Sequence, residues 1–161
     1  NLGFLGITEP IRELELEKRL VSKIKSFILE LGRGFSFLGN QYHLEYNNKE
    51  YVVDMLFFHR GLRSLVAIEL KIGAFKAEYV GKMNLYLSLL DRLEKGEDEN
   101  PSIGIILCAD KDRLDVEIAL QDVNKPIGVA EYQLLLPKDE LQALLIQEIN
   151  SIGENNDSEE E

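Results

Sequence analysis

Residues 51–59, "YVVDMLFFH", and 63–71, "RSLVAIELK", form two strongly apolar runs of strand length on either side of a glycine. Runs of this kind read as consecutive antiparallel strands. Their apolar residues do not alternate with polar ones, so the hairpin must be covered on both faces, which demands packing layers above and below it. Yet the same stretch carries Asp54, Glu69 and Lys71. Charged groups in so apolar a setting ask for a reason.

The segment "RGLR" at 60–63 suits a two-residue hairpin loop, with Gly61 at the first central position of a type II′ turn. With Arg60 opposite Arg63, Phe58 faces Leu65, Leu56 faces Ala67, Asp54 faces Glu69 and Val52 faces Lys71. Paired residues share a face, as do residues two apart along a strand. Asp54, Glu69 and Lys71 therefore converge on one side, while Val53, Met55, Phe57, Val66, Ile68 and Leu70 fill the other. Opposed carboxylates repel, and burial raises the cost of ionising both. A divalent cation removes the conflict: Mg²⁺ takes oxygen ligands, commonly one or two carboxylates, with water and substrate phosphate completing the shell. Lys71 is then placed to polarise an attacking water or to steady charge growing on a phosphate. The chemistry that fits is metal-assisted hydrolysis of a phosphodiester. The competing reading is an exposed sheet end carrying a solvated charge ladder, against which the length of the flanking apolar runs weighs.

A third acid is available upstream. From Glu9 to Leu31, the residues Leu16, Leu20, Ile24, Phe27 and Leu31 recur at helical spacing, with Thr8 as a cap and Pro10 in the first turn. Glu17 falls on the buried stripe of this helix, and Glu13, one turn earlier, competes with it for a place at the site. Both also read as ordinary first-turn acids favoured by the helix dipole.

The glycines of "LGRGFSFLG" follow a helix rather than a strand and read as a turn, not a phosphate loop. Short strands are expected at 35–38 and 41–46, with "NNK" at 47–49 as the turn into the first apolar run. A long helix over 76–95, a strand over 103–108, a helix over 112–121, a strand over 127–132 and a last helix over 138–150 complete an α/β class fold, a mixed central sheet flanked by helices. Lys76 and Lys82, in the early turns of the long helix, are candidate phosphate-binding residues, with surface solubility as the alternative. Arg60 and Arg63 read as turn residues, and His43 and His59 lack partners at metal or triad spacing.

The chain has 161 residues, 45% hydrophobic and 29% charged, which suits one domain over 1–152. The segment "GENNDSEEE" at 153–161 holds five acids and no base, and reads as a disordered tail. A net charge of −11 argues against broad electrostatic attraction to nucleic acid, so any such contact needs a local basic surface or metal ions. No apolar run is long enough to span a bilayer and no secretory signal opens the chain, so the expectation is a cytoplasmic protein without a membrane partner. Cys108, the single cysteine, lies in "IGIILCA" and reads as a buried structural thiol. Because the chain opens on Asn1, an upstream N-terminal domain is expected.

Asp54, fourteen intervening residues and then Glu69-Leu70-Lys71 resemble the core motif of the PD-(D/E)xK nuclease superfamily. The surrounding text is similar to its bacterial YhcG-type branch, through "LELEKRLVSKI", "LGRGFSFLGNQYHLE", "YVVDMLFFHRGLRSLVAIELKIGAFKAEYVGKMNLYL", "PSIGIILCADKD" and "NKPIGVAEY". The resemblance implies a restriction-endonuclease-like fold and Mg²⁺-dependent cleavage of DNA, with Mn²⁺ as a substitute ion. It also implies metal ligation by Asp54 and Glu69, with Lys71 as the catalytic lysine and Glu17 as the helix-one acid. Val53 stands where the superfamily name has proline, and Lys82 where similar sequences often show glutamine. Three alternatives stay open: an inactive module of this fold that binds DNA or protein, action on RNA, and a homodimer suited to cutting both strands of a duplex.

Overall fold

The computed structural model describes residues 18–26, 28–29, 33–132 and 146. Helix α1 comprises residues 18–26 and continues at 28–29. It is followed by β1 (Phe35–Tyr46), β2 (Lys49–His59), β3 (Ser64–Leu70), α2 (Glu78–Leu93), β4 (Asn100–Cys108), α3 (Arg113–Leu120) and β5 (Ile127–Glu131). The five strands form one sheet in chain order. β1, β2 and β3 pair antiparallel, whereas β3, β4 and β5 run parallel through helical crossovers. The fold is thus the expected α/β class, a restriction-endonuclease-like mixed sheet with helices on both faces. The last helix expected over 138–150 and the tail at 153–161 fall outside the described residues, apart from residue 146.

The two faces bury separate cores. Leu20, Val21, Ile24 and Ile28 of α1 pack with Met55, Phe57, Val66, Ile68 and Leu70. Val80, Met83, Tyr86, Leu87 and Leu90 of α2 pack on the opposite face with Leu56, Leu65, Ala67 and Ile106. α2 lies low over β4: a Cβ on Gly104 would stand 2.6 Å from Met83 Cγ and 2.7 Å from its Sδ, so any larger residue here would force the Met83 side chain to move. The far end of α2 is tied to the start of β4, where Asp91 Oδ1 accepts the Ser102 N–H at 2.9 Å. Asp112 caps α3 by accepting from Leu114 N at 2.8 Å and Asp115 N at 3.3 Å. Cys108 is fully buried and burial pushes its thiol up to about 11, which makes it the inert packing residue expected.

The register of the β2–β3 hairpin agrees with its reading from sequence, since Phe58 pairs with Leu65 and Leu56 with Ala67. Three details differ. His59 and Ser64 are the last pair, so the connection has four residues, and Arg63 rather than Gly61 takes the positive φ, at 50°. The type II′ turn is therefore replaced by a longer turn closed by Arg63 N donating to Arg60 O at 3.3 Å. At the other end the ladder stops at Met55–Ile68, and neither Asp54–Glu69 nor Val52–Lys71 is a ladder pair. Val53 also changes face: it joins the α2-side core with Leu56 instead of the α1-side core with Met55 and Phe57. The strands expected at 35–38 and 41–46 are one strand, with a register shift between Phe37 and Gly39.

Candidate active site

The end of the β2–β3 ladder is where the acids meet. Beyond Met55 the two strands cease to pair, and Asp54 bridges the gap with its side chain. Asp54 Oδ2 accepts the backbone N–H of Leu70 at 2.8 Å, and Asp54 N–H donates to Glu69 Oε2 at 3.3 Å. Gln41 Nε2, from the neighbouring strand, donates to Asp54 Oδ1 at 3.4 Å. The two acids are therefore linked crosswise, each carboxylate to the other strand's backbone, although their backbones are not a ladder pair. Side chains have taken over from the sheet.

Glu69 is 5% exposed, between Ile68 and Leu70, whose side chains enter the α1-side core. It points the other way, toward α2. Burial pushes its carboxyl up to about 9, the hydrogen bond and charge of Asp54 push in the same direction, and the Lys71 ammonium partly opposes them. A buried carboxyl that favours its protonated form, beside a second acid, forms a site that a divalent ion can enter by displacing that proton. The donor set fits Mg²⁺ or Mn²⁺ held by two carboxylates, with the remaining positions left to water and substrate oxygens. Among the described residues no cluster of three His, Cys, Asp or Glu side chains is present.

Lys71 follows β3 directly, where its N–H donates to Leu107 O at 2.7 Å and so continues the parallel pairing by one residue. Its Nζ lies 4.6 Å from the ring centroid of Tyr79 on α2, which holds the ammonium on the same side of the sheet as Glu69. Lys71, Lys76 and Tyr79 line a cleft of about 410 Å³, along with the turn at Ile72–Ala74. That turn is fixed from three sides. Phe75 N donates to Asp110 O at 2.8 Å, Ala109 N to Gly73 O at 3.0 Å, and Tyr132 Oη to Ile72 O at 3.3 Å.

Lys76 and Lys82 are both exposed. Lys76, just ahead of α2, borders the cleft, whereas Lys82 lies in the second turn of α2, with its Nζ 5.7 Å from the Tyr86 ring. Arg60 and Arg63 remain exposed turn residues. His59 Nδ1 accepts from Leu62 N at 3.0 Å and His43 Nδ1 stands 3.8 Å from Glu50, so neither histidine belongs to the acid cluster. Glu17 and Glu13 fall outside the described residues.

Sequence reasoning missed Tyr86 as a polar member of the site. It reads from sequence as an apolar residue of the long helix, but its hydroxyl lies close enough to Glu69 to feel that carboxyl's charge. Burial, followed by the charges of Glu69 and Asp54, holds that hydroxyl well above the ordinary tyrosine range. The available signal was its partner Tyr79, seven residues earlier on the same stripe. Two hydroxyl-bearing rings stand over the end of β3, Tyr86 by Glu69 and Tyr79 by Lys71.

Comparisons with known proteins identify the family of the chain. The family described as the YhcG PDDEXK nuclease domain matches residues 1–148. The protein named "Putative nuclease YhcG" from Escherichia coli (strain K12) is 37% identical over 138 residues, which cover 86% of this chain and 37% of that protein. The chain thus spans little more than a third of that relative's length. Similar solved structures include a repair endonuclease from Pyrococcus abyssi, with a TM-score of 0.48 and 16% identity over 68% of this chain and 45% of that one. Another is a complex of EndoMS with double-stranded DNA, at 0.48 and 18% over 68% and 44% of the respective chains. With nearly its whole length matched by the family's sequence pattern, this chain belongs to the YhcG PDDEXK nuclease domain family.

Proposed function

We propose that this nuclease domain is a Mg²⁺-dependent endonuclease that hydrolyses phosphodiester bonds of DNA, with Asp54 and Glu69 as the metal-holding acids. The observation that carries the reading is the almost fully buried Glu69 carboxylate accepting from the backbone N–H of Asp54 at 3.3 Å, which brings the two acids together at the point where the sheet ladder ends. A bound Mg²⁺ would supply charge to the scissile phosphate and lower the pKa of water at the site. Asp54 and Glu69 would hold the ion through their carboxylate oxygens, with Glu69 releasing the proton that burial favours. Lys71, held over the Tyr79 ring, faces the same space and is suited to orienting the attacking water or countering charge on the phosphate. Lys76, at the mouth of the cleft, is suited to a flanking phosphate, and Lys82 to one further along the helix. Glu17 is proposed as a third ligand.

The test is cleavage of plasmid and branched DNA in Mg²⁺ by the unmodified protein, Asp54→Asn and Lys71→Ala. Loss of activity in both variants is the expected result. Equal activity in all three would overturn the proposal. The second reading is an inactive binding module of the same fold, which the net charge of −11 favours. Calorimetry with Mn²⁺ separates the two readings, because the quiet module would show no binding that depends on Glu69.

A further inference from the structure

Both strands of the β1–β2 hairpin change phase at a single cross-strand position. Asn40 pairs with Met55, which faces α1, whereas Tyr42 pairs with Val53, and both of these belong to the α2 side. Regular strands keep residues two apart on one face, so the half-turn has to be absorbed by Gln41 and by Asp54, which lies opposite it. Gln41 absorbs it with a φ of 47°, a left-handed conformation that residues with a Cβ rarely adopt. Asn47 and Asn48 also have positive φ, at 55° and 60°, but they form the two-residue turn between β1 and β2, which requires it. Gln41 sits in the middle of a strand, where no turn does.

Its side chain explains the placement. Gln41 Nε2 donates to Asp54 Oδ1 at 3.4 Å, while Asp54 Oδ2 accepts from Leu70 N at 2.8 Å. The carboxylate is gripped from both sides, by β1 through one oxygen and by β3 through the other. Local disruptions of strand pairing recur beside active sites because they re-aim a side chain. Partners of metal ligands govern affinity by fixing ligand orientation.

We propose that Gln41 is a positioning residue for the acid pair, its left-handed backbone turning the amide onto Asp54 Oδ1 and so fixing the carboxylate that would hold the cation. The inference rests on the reading of Asp54 and Glu69 as a cation site. It adds a role for a residue on β1, the strand outside the β2–β3 hairpin that carries the two acids and the lysine.

Mn²⁺ titration of the metal-free protein by calorimetry, beside urea unfolding, tests it with Gln41→Met and Gln41→Gly. Methionine keeps the length and the Cβ but donates nothing. Glycine relieves the backbone and also donates nothing. Both variants are expected to bind Mn²⁺ about tenfold more weakly, while Gln41→Gly unfolds at the same or a higher urea concentration. A role confined to backbone shape would leave Gln41→Met at full affinity, and that result would overturn the proposal. Unchanged affinity in both variants would also overturn it, with the cation site left standing. If the unmodified protein bound no Mn²⁺, the cation reading and this inference would fall together.

Discussion

Replacing Glu69 with glutamine tests the electrostatics of the site without any nuclease assay. The Glu69 carboxyl is pushed up from 4.5 to about 9 in the folded protein, mainly by burial at 5% exposure and then by Asp54. Between those values the folded protein keeps a proton that the unfolded chain has released. Each pH unit in the window therefore costs about 1.4 kcal/mol of stability. Stability associated with Glu69 is complete below pH 4.5 and is lost as pH rises toward 9. At pH 7 the loss is on the order of 3 kcal/mol. Glutamine has the same shape, can donate to Asp54 and accept from its N–H, and has no proton to lose. In EDTA, Glu69→Gln should match the unmodified protein in urea unfolding near pH 4.5 and exceed it by roughly that 3 kcal/mol near neutrality. Groups distant from the pair are common to the two proteins, so the difference reports on Glu69 together with its neighbour Asp54. Adding Mg²⁺ should narrow the gap by stabilising only the protein that retains Glu69. A stability difference that does not change with pH would refute the reasoning.

Two further substitutions probe how α2 is held over the site. Tyr86→Phe removes the hydroxyl that meets Glu69, and should cost about 1 kcal/mol in urea unfolding while reducing, rather than abolishing, Mg²⁺-dependent cleavage. Gly104→Ala would drive a methyl group into Met83 Cγ at 2.6 Å, so a loss of about 1–3 kcal/mol is expected, with partial recovery when Met83→Ala is added.

The hairpin register was legible because turn chemistry and strand length together leave few alternatives. Phe58 opposite Leu65 and Leu56 opposite Ala67 follow directly from placing the turn at Arg60–Arg63. The phase change at Asp54 was not legible, and the reason is physical. Strand phase is read from the contrast between apolar and polar residues. In "YVVDMLFF" both faces are buried, so Val53 satisfies either core equally well and the sequence has no contrast to reveal a slip. The turn misled for a related reason. Glycine permits a positive φ without requiring it, and the four-residue connection places that conformation on Arg63. Tyr86 was hidden by its own ring, which fills an apolar position on α2 while its hydroxyl serves Glu69.

The slip also gives Asp54 two separable roles, which decides how its variants must be read. Where the ladder ends, Leu70 N–H has lost its strand partner and takes the Asp54 carboxylate instead, at 2.8 Å. Asp54→Ala removes that acceptor, leaves a buried backbone donor unpaired and should lower stability by about 1–3 kcal/mol whatever the residue does in catalysis. Asp54→Asn keeps a carbonyl oxygen for Leu70 but discards the negative charge. Under the proposed chemistry both variants lose cleavage, but only alanine unfolds at markedly lower urea concentration. If asparagine kept full Mg²⁺-dependent cleavage while alanine lost it, the defect of alanine would be structural, and Asp54 would be a sheet cap rather than a metal ligand.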